Sequence, residues 1–157
     1  MTAPTPWAGF RMTQVLVERL LKAGADAITS GNHGWDGPEV EAVHLFSQVL
    51  RPLNMPLGTI GHGTTTVEVA GELVTISNLA SERGMIEKAL PVYPAWQTVE
   101  RRGAVIVDFH SDAAWGKMIF ASAIDGRLQQ FWAPIPTRRR KHSTSWRVGP
   151  GLWPMSV

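Results

Sequence analysis

The run A-V-I-V-D-F-H, Ala104 to His110, limits the fold more than any other stretch of this chain. Ala104 to Phe109 is apolar except for Asp108, which predicts a strand covered on both faces and closed by His110. Such a strand needs layers above and below it. At 157 residues with 44% hydrophobic content, the chain can supply them from one core.

The flanking elements alternate in type. Thr13 is placed to cap a helix whose apolar positions Val15, Leu16, Leu20 and Leu21 follow helical spacing, with Gly24 as its stop. Ala27-Ile28-Thr29 reads as a short strand ending at Gly31, and Pro38 with Glu39 opens a second helix through about Val49. Thr64 to Val69, a turn at Ala70-Gly71-Glu72, and Leu73 to Ser77 read as a β-hairpin. Ser111 and Asp112 offer caps to a helix running to about Ala123, before a turn at Asp125-Gly126-Arg127. Helices and strands in this order predict an α/β fold.

Composition removes several function classes. No cysteine is present, so disulfides and thiolate metal sites are excluded, and a metal would need His, Asn, Asp or Glu. No apolar run reaches the length of a membrane span, and M-T-A-P-T-P-W lacks the basic and apolar regions of a signal peptide. A cytoplasmic protein without membrane attachment is the expectation. Charge divides the chain: residues 1–131 hold ten Lys/Arg against thirteen Asp/Glu, whereas residues 132–157 hold five cations and no acid. That tail also carries Pro134, Pro136, Pro150 and Pro154 without apolar periodicity, so it reads as irregular.

Ligands of α/β folds gather beyond the C-terminal ends of the strands, and two polar clusters stand there. One is G-N-H in Ser30 to Asp36; the other is D-F-H-S-D from Asp108. An Asn carbonyl and a His imidazole can ligate a transition metal, and a second imidazole can protonate a departing oxygen. A plain turn explains an Asn-His pair as well. His44, inside the second helix, reads as a packing or surface residue, and His62 as part of a glycine-rich turn. Asp108 is either a carboxylate orienting an imidazole or a structural cap, while Trp35 and Trp115 read as core or interface aromatics.

Five separated segments, K-A-G-A-D-A-I-T-S-G-N-H-G-W-D, L-R-P-L-N-M-P-L-G-T, V-T-I-S-N-L, I-V-D-F-H-S-D and D-G-R, occur in order between about Gly9 and Arg127. Together they resemble the YmdB-type branch of the calcineurin-like metallophosphoesterases. The resemblance implies a β-sandwich flanked by helices and hydrolysis of 2′,3′-cyclic nucleotides or related phosphodiesters at a dinuclear iron or manganese centre. It also implies roles: Asn32 and His110 as metal ligands, and His33 as the catalytic residue that helps protonate the leaving group. In such a centre two metals clamp the phosphate and generate hydroxide.

The departures from the family pattern matter equally. Its opening Gly-Asp strand is absent, Ala3, Pro4 and Thr5 stand where a Gly-Glu-Asn motif belongs, and L-Q-Q-F-W-A-P-I-P-T replaces a Gly-Thr-His-Thr-His segment. Trp132 to Thr137 can be encoded so that a shifted frame reads Gly-Thr-His-Thr-His. The same frame allows Gly-Gly-Thr-Gly over Arg147 to Gly151 and Asp-Val-Gly near the end. The expectation is therefore a partial domain over residues 1–128, N-terminally truncated, and an out-of-frame tail over residues 129–157. The cluster Arg138 to Lys141 is then an accident of codons and not a nucleic-acid patch. The expected fold is an incomplete metallophosphoesterase-type sandwich, catalytically inactive, whose exposed sheet edges favour homo-oligomers. The alternatives are an active phosphodiesterase with replacement ligands from Asp108, Asp112 or a partner chain, and a protein- or RNA-binding module.

Overall fold

The computed structural model of the chain describes residues 12–82, 89–111, 114–124, 130–132 and 145–146, with Asn32, Ala114, Trp115 and the last two segments described through their backbone. The fold is α/β, as expected, with two sheets and flanking helices. The smaller sheet pairs β1 (Ile28–Thr29) with β2 (Val49–Leu50) in parallel. The larger has the order β3 (Thr64–Val69), β4 (Glu72–Ala80), β5 (Ala104–His110), β6 (Gln130–Trp132) and β7 (Ser145–Trp146). Its central pairs β4–β5 and β5–β6 are parallel, whereas β3–β4 and β6–β7 are antiparallel. The tail has no strand periodicity, yet backbone at Trp132 and Ser145–Trp146 joins this sheet. Ladder bonds use main-chain groups, which every such residue carries whatever its side chain.

Helix α1 (Gln14–Lys22) begins at Thr13, whose hydroxyl accepts from the Leu16 amide at 3.3 Å. Gly24 follows it at φ +95°, the left-handed conformation that ends helices. The buried stripe differs from the expected one. Val17 is fully buried against Val43 and Val49, with Met12 and Leu21 beside it, while Val15, Leu16 and Leu20 are exposed. These three positions form a face that no described element covers.

The second helix, α2 (Val40–His44), ends well short of Val49. Leu45 is exposed, and the chain turns through Ser47 and Gln48, so that Ile28 donates to the Gln48 carbonyl at 2.8 Å. Val49 and Leu50 are both fully buried in β2. Burying two branched residues in the sheet outweighs two more residues of helix, which add little stability by themselves.

Strand β5 alternates in burial: Val105, Val107 and Phe109 are buried, while Ala104, Ile106, Asp108 and His110 are half-buried. The buried set meets α3 (Val92–Gln97) and α4 (Ala114–Ile124) in a cluster with Leu79, Trp96, Val99, Phe120, Ala121 and Ile124. Phe120 packs edge-on to Trp96 and tilts against Phe109 at 5.0 Å between ring centroids. Helix α3 has no periodic signal in the sequence. It is short and holds Pro94 in its first turn, where proline's missing N–H is tolerated.

The hairpin is seen as expected, with Glu72 joining β4 rather than the turn. Ala70 at φ +54° and Gly71 at φ +84° form a two-residue turn with both residues left-handed. Alanine is strained there and asparagine is not. Ala70→Asn is expected to stabilise the chain by about 0.5–1 kcal/mol, read as a higher urea midpoint. An unchanged or lower midpoint would refute the strain.

Candidate functional site

The end of β1 is held before the site begins. Ser30 donates its amide to the Leu50 carbonyl at 2.9 Å and its hydroxyl to the same oxygen at 3.3 Å. From Gly31 the chain leaves the sheet and tightens into a 3₁₀ turn over Asn32–Trp35, closed by the Gly34 amide on the Gly31 carbonyl at 3.0 Å. Glycine is required at Gly34 because a Cβ would lie 2.8 Å from the Ser30 side chain.

Gly31 brings the two polar clusters together. A Cβ placed on it would stand 2.7 Å from Cε1 of His110 and 2.9 Å from its Nδ1, so the imidazole at the end of β5 lies directly against the G-N-H loop. Two stretches 79 positions apart in sequence thus meet. They follow strands of two different sheets, β1 in the smaller and β5 in the larger, and not one edge of a single sheet as the strand-end reasoning expects. His33 is exposed, and its Nδ1 donates to the Asp36 carboxylate at 2.5 Å. This pair fixes ring orientation but, being exposed, adds little stability. Asn32 lies at the first position of the turn.

Asp108 is level with Asn78 across the parallel pair β4–β5. Burial pushes its carboxyl above the ordinary carboxylate value, opposed by hydrogen bonding from Thr29 and by the charges of His110 and Lys117. Asn78 is fully buried and donates from Nδ2 to the Ser30 carbonyl at 2.7 Å and to the Leu50 carbonyl at 2.8 Å. Both residues therefore face the β1–β2 layer. His44 is fully buried, stacks on Trp35 at 5.2 Å, and directs Nδ1 at the Val40 carbonyl at 2.9 Å, so it is a packing residue and not a surface one. His62 is exposed, and its backbone bridges to Leu50. The Asp112 cap, the Asp125 to Arg127 turn and the Arg138 to Lys141 cluster lie outside the described residues, as does the side chain of Trp115.

Asp36, Thr29 and Asn78 were not foreseen as site residues. Asp36 carried a signal, since it follows His33 by three in a turn-forming stretch. Asn78 carried another, as a lone amide near the end of a strand whose next residue, Leu79, is core.

A family profile described as YmdB-like protein matches residues 5–133. The chain belongs to the YmdB-like family. It is similar to the 2′,3′-cyclic-nucleotide 2′-phosphodiesterase of Bacillus subtilis (strain 168), with 32% identity over 124 residues, 76% of this chain and 47% of that protein. Among solved structures, a hypothetical protein from Thermus thermophilus aligns with a TM-score of 0.74 and 29% identity, covering 90% of this chain and 59% of the other. A phosphatase from Mycoplasma pneumoniae aligns with a TM-score of 0.71 at 23% identity, covering 80% and 48%, a likeness of fold. This member of the YmdB-like family spans about half the length of the relatives it matches.

The described residues do not by themselves assemble a dinuclear metal centre. Among the described residues no group of three or more His, Asp or Glu converges to hold an ion. His33 is engaged by Asp36, and Asp108 faces the seam between the sheets. No helix among the described residues is long and apolar enough to cross a membrane.

Two outcomes are expected from these contacts. Asn78→Ala leaves the Ser30 carbonyl without its amide donor and opens a void, so it should destabilise the chain by about 2–4 kcal/mol in urea unfolding. A loss below about 1 kcal/mol would show that the amide is dispensable. Burial holds His44 below its ordinary 6.5, aided by Arg51 and opposed by the Val40 carbonyl. The unfolded chain accepts that proton near pH 6.5 and the folded chain resists it. Stability is then full above that pH and falls as pH drops below it. The urea midpoint should fall from about pH 7 to about pH 5 more steeply in the native chain than in His44→Gln. Parallel curves would exclude His44 as the cause.

Proposed function

We propose that this chain keeps the scaffold of a metal-dependent phosphodiesterase for 2′,3′-cyclic nucleotides and does not itself catalyse the reaction. The contact of Gly31 with the His110 ring carries the reading, because it joins the two motifs that resemble the family's site. The Bacillus subtilis relative, named for that activity, supports the substrate class. Asn32 and His110 are assigned as the remaining metal ligands, and His33, oriented by Asp36, as the remaining acid. Two ligands are too few to clamp a phosphate between two metal ions of the iron or manganese type.

Residues 1–128 form the family domain on this reading, and residues 129–157 derive from a shifted frame. Resequencing the coding region tests that part directly: a single-base change near Leu128 that restores Gly-Thr-His-Thr-His supports it, and an intact frame refutes it. The protein is assigned to the cytoplasm, with no nucleic-acid partner. A second reading, in which Asp108 serves as a replacement ligand, rests on the buried Oδ1 of that residue, which has no hydrogen-bond partner among the described residues.

Elemental analysis after manganese or iron loading, run beside 2′,3′-cyclic nucleotide hydrolysis, separates the two readings. The expected result is no stoichiometric metal and no turnover. Stoichiometric metal with turnover that is lost in both His33→Ala and His110→Ala would overturn the proposal and favour replacement ligands.

A further inference from the structure

A cavity of about 430 Å³ opens beside the apolar cluster, between the C-terminal ends of β4 and β5 and the helices α3 and α4. Its volume falls within the roughly 300–1,000 Å³ of small-molecule sites, and strand C-terminal ends are where α/β folds take their ligands. Phe109 and Phe120, both buried, form its inner wall. Helix α4 turns one face to the space, since Gly116, Ile119, Phe120 and Ala123 succeed one another at helical spacing. Gly116 and Ala123 are the small residues of that face and leave the space unfilled. At the mouth Tyr93 is 41% exposed and Ile119 is 61% exposed, so large apolar surface meets solvent there.

A single carboxylate stands in this apolar setting. Glu82, just past β4, lines the cavity from an exposed position and has no ion pair among the described residues. A carboxylate accepts hydrogen bonds and donates none, so it selects a ligand that brings N–H donors or a positive charge. Aromatic faces attract cations as well, and Tyr93 borders the same space. We infer that the cavity binds a small arylalkyl ammonium ion, its ring against Phe109 and Phe120 and its charge at Glu82. Burial of the ring supplies the affinity. The charge, held at an exposed carboxylate, adds less and decides which ligands are accepted. His110 leaves β5 towards Gly31, on the face opposite Phe109, so this site is separate from the assigned ligands Asn32 and His110 and does not depend on the function proposed above.

Three probes of nearly one shape test this on the full chain by ligand-observed NMR titration at fixed ionic strength: phenethylammonium, the neutral 2-phenylethanol and the anion phenylacetate. Phenethylammonium is expected to bind roughly 3- to 10-fold more tightly than 2-phenylethanol, with phenylacetate weakest. Glu82→Gln, at an exposed position, should erase the preference for the ammonium and leave 2-phenylethanol unchanged. Ala123→Leu, which fills part of the space, should weaken both by about 3-fold or more. No saturable binding of phenethylammonium below roughly 10 mM overturns the site. Equal binding of ammonium and alcohol by the native chain, or a preference that survives Glu82→Gln, overturns the assigned ligand class. Affinities that Ala123→Leu leaves unchanged would place the binding outside this cavity and overturn the proposal.

Discussion

The Asn78 carboxamide sits fully buried between two sheets and donates to main-chain carbonyls of the opposite layer. Burying an unpaired amide costs several kcal/mol, so this residue is tolerated only where both carbonyls are within reach. The condition fixes register. A slip of one residue along β4 would turn Asn78 into the apolar face against α3 and α4 and bring Leu79 into the seam. Gly31 follows directly from Ser30, one of the two bonded residues. The approach of the G-N-H loop to His110 is therefore a consequence of where one amide finds its acceptors.

Asn54 clamps the C-terminal end of the same strand. Its Nδ2 donates to the carbonyls of Ala80 and Leu90, both at 2.7 Å, and its Oδ1 accepts from the Ala80 amide at 3.0 Å. The two amides divide the labour with the core. Leu79, Val105, Val107, Phe109, Trp96 and Phe120 supply the non-directional force that holds helices on the sheet. Hydrogen bonds to Asn54 and Asn78 are directional, and they choose which strand end meets which loop.

Legibility in the sequence followed this division. The helix after Thr13, the hairpin and the β5 run were visible because each repeats an apolar or alternating pattern over several residues. The α/β class followed from them, and so did the place of both polar clusters at strand ends, but not that these strands lie in two different sheets. Strand β2 was not visible, because Val49 and Leu50 continue the apolar spacing of α2 and leave it only to pair with Ile28 and Thr29. Helix α3 was hidden by its length and its proline. At the site, Asn32, His33 and His110 stood out by residue type. Asn78 and Asp108 owe their importance to being level across two strands, a relation that no local pattern encodes.

Scaffold and chemistry make different demands on a chain. The His110 contact with Gly31 requires β5, β1 and the amide between them, and all of these are packed from residues within one half of the relatives' length. The face of α1 that no described element covers and the two-stranded layer at β1–β2 are the thinnest packing among the described residues. Both lie on the side of the G-N-H loop, whereas the closed cluster under α3 and α4 lies on the other side of β5. Stability is thus concentrated away from the candidate site. The loop's geometry rests on a few directional bonds, so a change to one of them moves the site before it unfolds the core.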